Sequence, residues 1–198
     1  MRIFVTGTDT NVGKSWVAAW AVRSWSAAYW KPVQSGTSEG WDAEIVRKIA
    51  PKAQIYASRH AFPEPLSPDQ AAKRAGVRIK LSDFNLPDHD GPLVVEGAGG
   101  VLVPLNERAL MVDLMKRLGL PVLLVARSGL GTINHTLTSL EVLRRRKLPA
   151  AGIIMVGEPS PENRAAIEHF GKTKVVAELP PLSELGLLCD YPPLDWTP

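Results

Sequence analysis

Apolar residues gather in short runs that do not alternate with polar ones, at residues 3–6, 93–95, 122–126, 153–156 and 175–177. A strand with one wet face would alternate, so these runs predict parallel strands buried on both faces. Between them, apolar positions recur at helical spacing over 14–27, 42–49, 109–118, 132–147 and 161–170. Strand and helix thus take turns along the chain. That order predicts an α/β fold, a single-domain parallel sheet with helices on both faces and ligands at the carboxyl ends of the strands. Two stretches stand apart: 51–92, richer in proline and polar residues and without a clear buried strand, reads as an edge insertion or lid, and 186–198 reads as an extended tail.

Composition changes this picture little. The chain has 198 residues, 45% hydrophobic and 22% charged, enough for one core and far from disordered or fibrous sequences. Lys and Arg number 23 against 20 Asp and Glu, a charge of +3 spread along the chain, so no basic arm argues for nucleic acid. Cys189 is the single cysteine and cannot form an intramolecular disulfide, which suits a reducing compartment. No apolar run approaches the roughly 18 residues of a membrane span, and the first residues carry no signal-peptide pattern. The expectation is a cytoplasmic protein that does not engage a membrane.

Gly7-Thr8-Asp9-Thr10-Asn11-Val12-Gly13-Lys14-Ser15 follows the first strand and opens the first helix. There, backbone N–H groups and a helix N-terminus can cradle phosphates, Lys14 can reach the β and γ oxygens, and the Ser15 hydroxyl can bind Mg²⁺. Strand, Gly-Lys-Ser and helix coincide, which points to a nucleoside triphosphate and a P-loop NTPase-like fold. Five residues separate Gly7 from Gly13, where the standard loop has four. Trp16 and Trp20 lie at i and i+4 on the next helix, placed for packing on the sheet or, for Trp16, against the nucleotide.

Other candidates stand after later strands. Lys31 ends an extended run held out of helix by Pro32, and either snorkels to the surface or points at the phosphate loop. Asp42 starts a helix, as a first-turn acid or a ligand. Glu96 ends an apolar strand before Gly97-Ala98-Gly99-Gly100, where a metal-site acid is expected and the glycines can let backbone approach a ligand. Leu130-Gly131-Thr132-Ile133-Asn134-His135 opens a long helix whose free N–H groups suit a carboxylate, although Thr132 can equally be a plain cap. His135 has no partner at metal-ligand spacing, and Arg144 to Lys147 reads as a solvated helix end.

Residues 7–15, 31–36, 95–100 and 131–135 together resemble the dethiobiotin synthetase family in order and spacing, the five-residue loop included. The resemblance implies Mg²⁺- and ATP-dependent closure of a ureido ring on 7,8-diaminononanoate with CO₂, through a carbamate and a carbamic-phosphoric anhydride. It makes Lys31 and Lys14 the catalytic lysines and Ser15, Asp42 and Glu96 the Mg²⁺ ligands. It gives the nucleotide Asn11, Val12, Gly13, Lys14, Ser15, Trp16, Asp42, Glu96, Gly97, Ala98, Gly99, Pro180, Pro181, Leu182 and Glu184. It gives the substrate Thr10, Lys31, Ser35, Gly131, Thr132, Ile133 and Asn134, the last four across the interface of a homodimer. Asn11 stands where the family often has glutamate, and Val156 where many members have an adenine-reading asparagine, which leaves the choice of base open.

Two rival readings share the loop. One is a nucleotide-switch ATPase of the partitioning or metal-insertion type, which has no reason to keep Lys31 to Gly36. The other is a degenerate nucleotide-binding module, against which Lys14, Ser15, Asp42 and Glu96 all stand.

Overall fold

The computed structural model describes residues 1–181, 183–184 and 188–198. The chain runs β1 (Arg2–Gly7), α1 (Lys14–Trp25), β2 (Ala28–Trp30), β3 (Val33–Ser35), α2 (Asp42–Ile49), β4 (Ile55–Tyr56), β5 (His60–Phe62), α3 (Pro68–Arg74), β6 (Leu93–Gly100), α4 (Met111–Leu118), β7 (Val122–Arg127), α5 (Thr132–Arg145), β8 (Ala150–Val156), α6 (Pro161–Gly171) and β9 (Val175–Leu179). Seven strands form one parallel sheet in the order β4-β2-β6-β1-β7-β8-β9.

The side-chain period of two sorts each apolar run between the faces of this sheet. Ile3, Val5, Val94, Leu123 and Val125 pack with Val17, Ala18, Val22 and Val46 of α1 and α2. Phe4, Val95, Leu124 and Ala126 turn the other way, onto Met111, Leu114, Leu140 and Ile167 of α4, α5 and α6. Both faces are covered, which explains why the runs show no alternation. β1 lies between β6 and β7, so the carboxyl ends of β1, β2 and β6 come together, at the reversal of strand order where open α/β sheets bind ligands.

Several boundaries differ from expectation. The first helix stops at Trp25, short of residue 27, because Ser26 turns left-handed (φ 50°) and its N–H closes on the Val22 carbonyl. The helix expected from 109 starts at Met111, since the Ala109 carbonyl accepts from Leu105 N (2.8 Å) in the preceding turn. The segment 51–92 does contain strands: β4 extends the main sheet at its edge, and β5 pairs with β3 in a two-stranded ribbon. Strands of two and three residues are too short to show a period.

The tail, from Leu188 onward, lies along α1. Leu188 and Leu194 are buried against it, Trp20 Nε1 donates to the Pro192 carbonyl (2.8 Å), and Leu194 N donates to Ser24 Oγ (2.8 Å). Among the described residues no helix is long and apolar enough to cross a membrane.

Candidate active site

The loop between β1 and α1 owes its path to its backbone. Gly13, at φ 97°, is the left-handed residue before α1, and Asn11, at φ 57°, takes a conformation that asparagine tolerates best among non-glycines. Val12 is buried beneath the loop, and Thr8 N is anchored to the Val125 carbonyl at 2.9 Å. Lys14 is 6% exposed and reaches back over the loop, its Nζ donating to the Asp9 carbonyl at 2.9 Å.

Beneath it, four side chains come together from α1, α2, β6 and the end of β2. Lys31, just past β2, puts Nζ 2.8 Å from Glu96 Oε1 and also pairs with Asp42 Oδ2. Ser15 Oγ, in the first turn of α1, lies 2.8 Å from both Asp42 Oδ1 and Glu96 Oε1. Glu96 is fully buried in β6, and Asp42, at the start of α2, turns away from its own helix end toward Lys31. The lysine therefore points into the site, not out to solvent.

Burial disfavours the charge on Lys31, but Glu96 and then Asp42 outweigh it and hold the ammonium above its usual pKa. Burial would likewise raise Asp42, yet Lys31 keeps it below the ordinary carboxylate range. Among the described residues Lys14 forms no ion pair with a carboxylate, and burial brings it down to about 8 against the pull of Glu96, with the nearby Lys31 charge adding to the fall.

Ser15 has one hydroxyl proton and faces two carboxylate oxygens, so it donates to one of them at a time, and Glu96 Oε1 keeps the Lys31 ammonium as a donor when that proton serves Asp42. Two carboxylates and a hydroxyl converging on a lysine ammonium form a donor set that suits a small hard cation such as Mg²⁺. Among the described residues no three His, Cys, Asp or Glu side chains could hold a metal by themselves. Such a cation would complete its shell with phosphate oxygens and water.

A second region opens beside the loop. A cavity of about 410 Å³ is lined by Thr8, Asp9, Thr10, Val103, Asn134 and His135, among others, and so joins Thr10 to Asn134. Thr132 is not the cap of α5. Gly131, at φ 90°, holds that position, and the Thr132 hydroxyl donates to the Arg127 carbonyl. Gly131 and Asn134 are exposed, Ile133 is half-buried, and Leu130 beside them is fully exposed.

The other expected residues scatter more widely. Ser35 ends β3 with a buried hydroxyl that has no hydrogen-bond partner among the described residues. Trp16 is half-buried and packs on the α1 side of the core with Trp20. A Cβ at Gly97 would meet Phe4 at 2.8 Å and one at Gly99 would meet Val103 at 2.6 Å, so packing alone already requires both glycines. Ala98 is half-buried in the same cluster. Pro180 and Pro181 follow β9, Glu184 is exposed, and Leu182 lies outside the described residues. Val156 ends β8, is buried, and pairs with Leu179. One participant went unseen in the sequence: Tyr29 Oη donates to Glu96 Oε2 at 2.8 Å. The signal was its place two residues before Lys31 on the same strand face.

Sheet order, loop and buried lysine define a P-loop nucleotide-binding protein. The fold is similar to that of a chain in the structure of the MinC:MinD cell division protein complex of Aquifex aeolicus, which matches at a TM-score of 0.54 and 12% identity over 96% of this chain and 85% of that one. An AAA domain family matches residues 1–187. The chain is 55% identical to the ATP-dependent dethiobiotin synthetase BioD of Paramagnetospirillum magneticum, over 98% of this chain and 96% of that protein. It is 53% identical to the biotin biosynthesis bifunctional protein BioCD of Bordetella avium, over 91% of this chain and 39% of that longer protein. The chain belongs to the dethiobiotin synthetase family.

Proposed function

We propose that the protein carries out the reaction for which these relatives are named, closing the ureido ring of dethiobiotin on 7,8-diaminononanoate with CO₂ and converting ATP to ADP and phosphate. The observation that carries this reading is the Lys31 ammonium held between Asp42 and Glu96 at the foot of the phosphate loop. A pure nucleotide switch does not need a second buried lysine there.

In this reading one substrate amine takes up CO₂ as a carbamate, and Lys31 turns from its carboxylates to the carbamate and γ-phosphate oxygens. The carbamate oxygen attacks the γ-phosphate, the bond to the β–γ bridging oxygen breaks, and ADP leaves. The other amine then attacks the carbamoyl carbon of the mixed anhydride and expels phosphate, closing the ring. Phosphoryl transfer depends on positioning and charge stabilisation, so Lys14 and Lys31 suffice without a nucleophilic side chain. Ser15, Asp42 and Glu96 would hold Mg²⁺, which when bound neutralises charge on the phosphates.

Thr10 and Ser35 meet the diamine and carbamate, and N–H groups of the turn from Gly131 to Asn134 take the substrate carboxylate, other than that of Thr132, which donates to the Gly129 carbonyl (3.1 Å). Exposed Leu130 and the open start of α5 support a homodimer in which that helix end serves the partner's site. Pro180, Pro181 and Glu184 would border the base, which Val156 does not hydrogen-bond. We place the enzyme in the cytoplasm.

The test supplies 7,8-diaminononanoate, bicarbonate and Mg²⁺ with ATP, CTP or GTP, and follows phosphate and ureido product together. Product in step with phosphate is expected, and the nucleotide ranking measures the effect of Val156. Phosphate release independent of the diamine, with no ring product, overturns the reading in favour of a switch ATPase.

A further inference from the structure

Tyr29 occupies the middle of β2, opposite Val94 of β6, and Glu96 lies two residues further along on the same face. A phenol is long enough to span that diagonal, and its hydroxyl meets Glu96 Oε2 at 2.8 Å. The two oxygens of Glu96 are thereby divided. Oε1 faces Ser15 and Lys31, both of which are shared with Asp42 and free to turn toward phosphate. Oε2 faces a ring that is 1% exposed, packed among the buried residues under α1 and α2, with no other partner for its hydroxyl among the described residues. Of the three donors to Glu96, the tyrosine is the one whose place is set by packing.

Ca²⁺ accepts both oxygens of a carboxylate in a flexible shell of six to eight ligands, whereas Mg²⁺ demands near-ideal octahedral geometry with single oxygens. We propose that Tyr29 is a specificity-determining residue that commits Oε2 of Glu96, restricts this acid to one-oxygen ligation, and so favours Mg²⁺ over Ca²⁺. The inference rests on the reading of Ser15, Asp42 and Glu96 as the cation site. Tyr29 acts through Glu96 and touches no reacting atom, so it is a positioning residue. A merely structural tyrosine would leave the ratio of the two cations unchanged.

The experiment measures Mn²⁺ bound to the full chain with ADP by its EPR signal, displaced by Mg²⁺ or Ca²⁺ and corrected for binding by ADP alone. The wild type is expected to release Mn²⁺ at lower Mg²⁺ than Ca²⁺. In Tyr29→Phe the preference should fall roughly tenfold, within the range that outer-shell partners of metal ligands contribute. A ratio within about twofold of wild type in a variant that melts normally overturns the role of Tyr29, since outer-shell partners that matter do more. Glu96→Gln separates the two readings: if it leaves Mn²⁺ binding intact, the cation site itself is misassigned and the inference falls with it. If Tyr29→Phe does not fold, the wild-type ratio decides, and equal affinity for Ca²⁺ and Mg²⁺ overturns the proposal.

Discussion

The two ends of the candidate site are built differently. At the phosphate end, Lys31, Asp42, Glu96, Ser15 and Tyr29 satisfy one another inside a single chain, and Glu96 has no exposed surface. At the α5 end, Gly131 and Asn134 are open and Leu130 extends fully into solvent. A buried charge must be paired where it stands, because leaving it alone costs several kcal/mol. An exposed apolar side chain bears no such penalty and can wait for another surface. The first region is thus complete before any ligand arrives, and in the proposed homodimer the second is the one that a partner subunit would finish.

The largest effect should come from breaking the closed end. Lys31→Ala removes a positioned charge and should lower turnover at least about a thousandfold, the upper range for losing one such donor, while ADP binding stays within about tenfold. Turnover near wild type, measured as ureido product, would remove Lys31 from the chemistry. At the open end, Leu130→Asp should weaken self-association by about 2 kcal/mol, roughly thirtyfold, if the residue anchors an interface. Sedimentation velocity should then show monomer, with turnover falling in parallel. A stable dimer would leave Leu130 without a role at the subunit contact.

The smallest effect supplies the background for both. Asp83 lies in neither region; the Lys80 backbone N–H, then the His60 side chain, hold its carboxyl below the usual range. A carboxyl lowered by folding contributes stability above its unfolded pKa and loses it as pH falls through the folded value. Asp83→Asn should therefore flatten the acid limb of a melting curve by about 2 °C, the scale of a contribution under 1 kcal/mol, with turnover and self-association unchanged. A comparable drop in turnover would mean that the contrast between the two site regions is not specific.

The phosphate loop, Lys31, Asp42 and Glu96 were legible because each sits where a strand gives way to a turn or helix, a place marked by glycine, proline or an abrupt charge. The two core faces were legible as unbroken apolar runs. β4 and β5 were not, because their partners, rather than any pattern of their own, make them strands. Nor was the docking of the tail, since Leu188 and Leu194 are buried by α1, a helix far away in sequence.

By itself, then, the sequence determined the strand-helix order, the phosphate-binding loop and the residue types of the site, because these depend on neighbours within a few positions. Tertiary structure alone decided which of two open roles each residue took. Lys31 could have been a solvated lysine and Thr132 a cap. Sheet order set β2 beside β6 and so buried the lysine between two carboxylates, and the backbone freedom of Gly131 took the cap position from the threonine. Tyr29 shows the same division, because its hydroxyl finds Glu96 only through a register between strands that are distant in sequence.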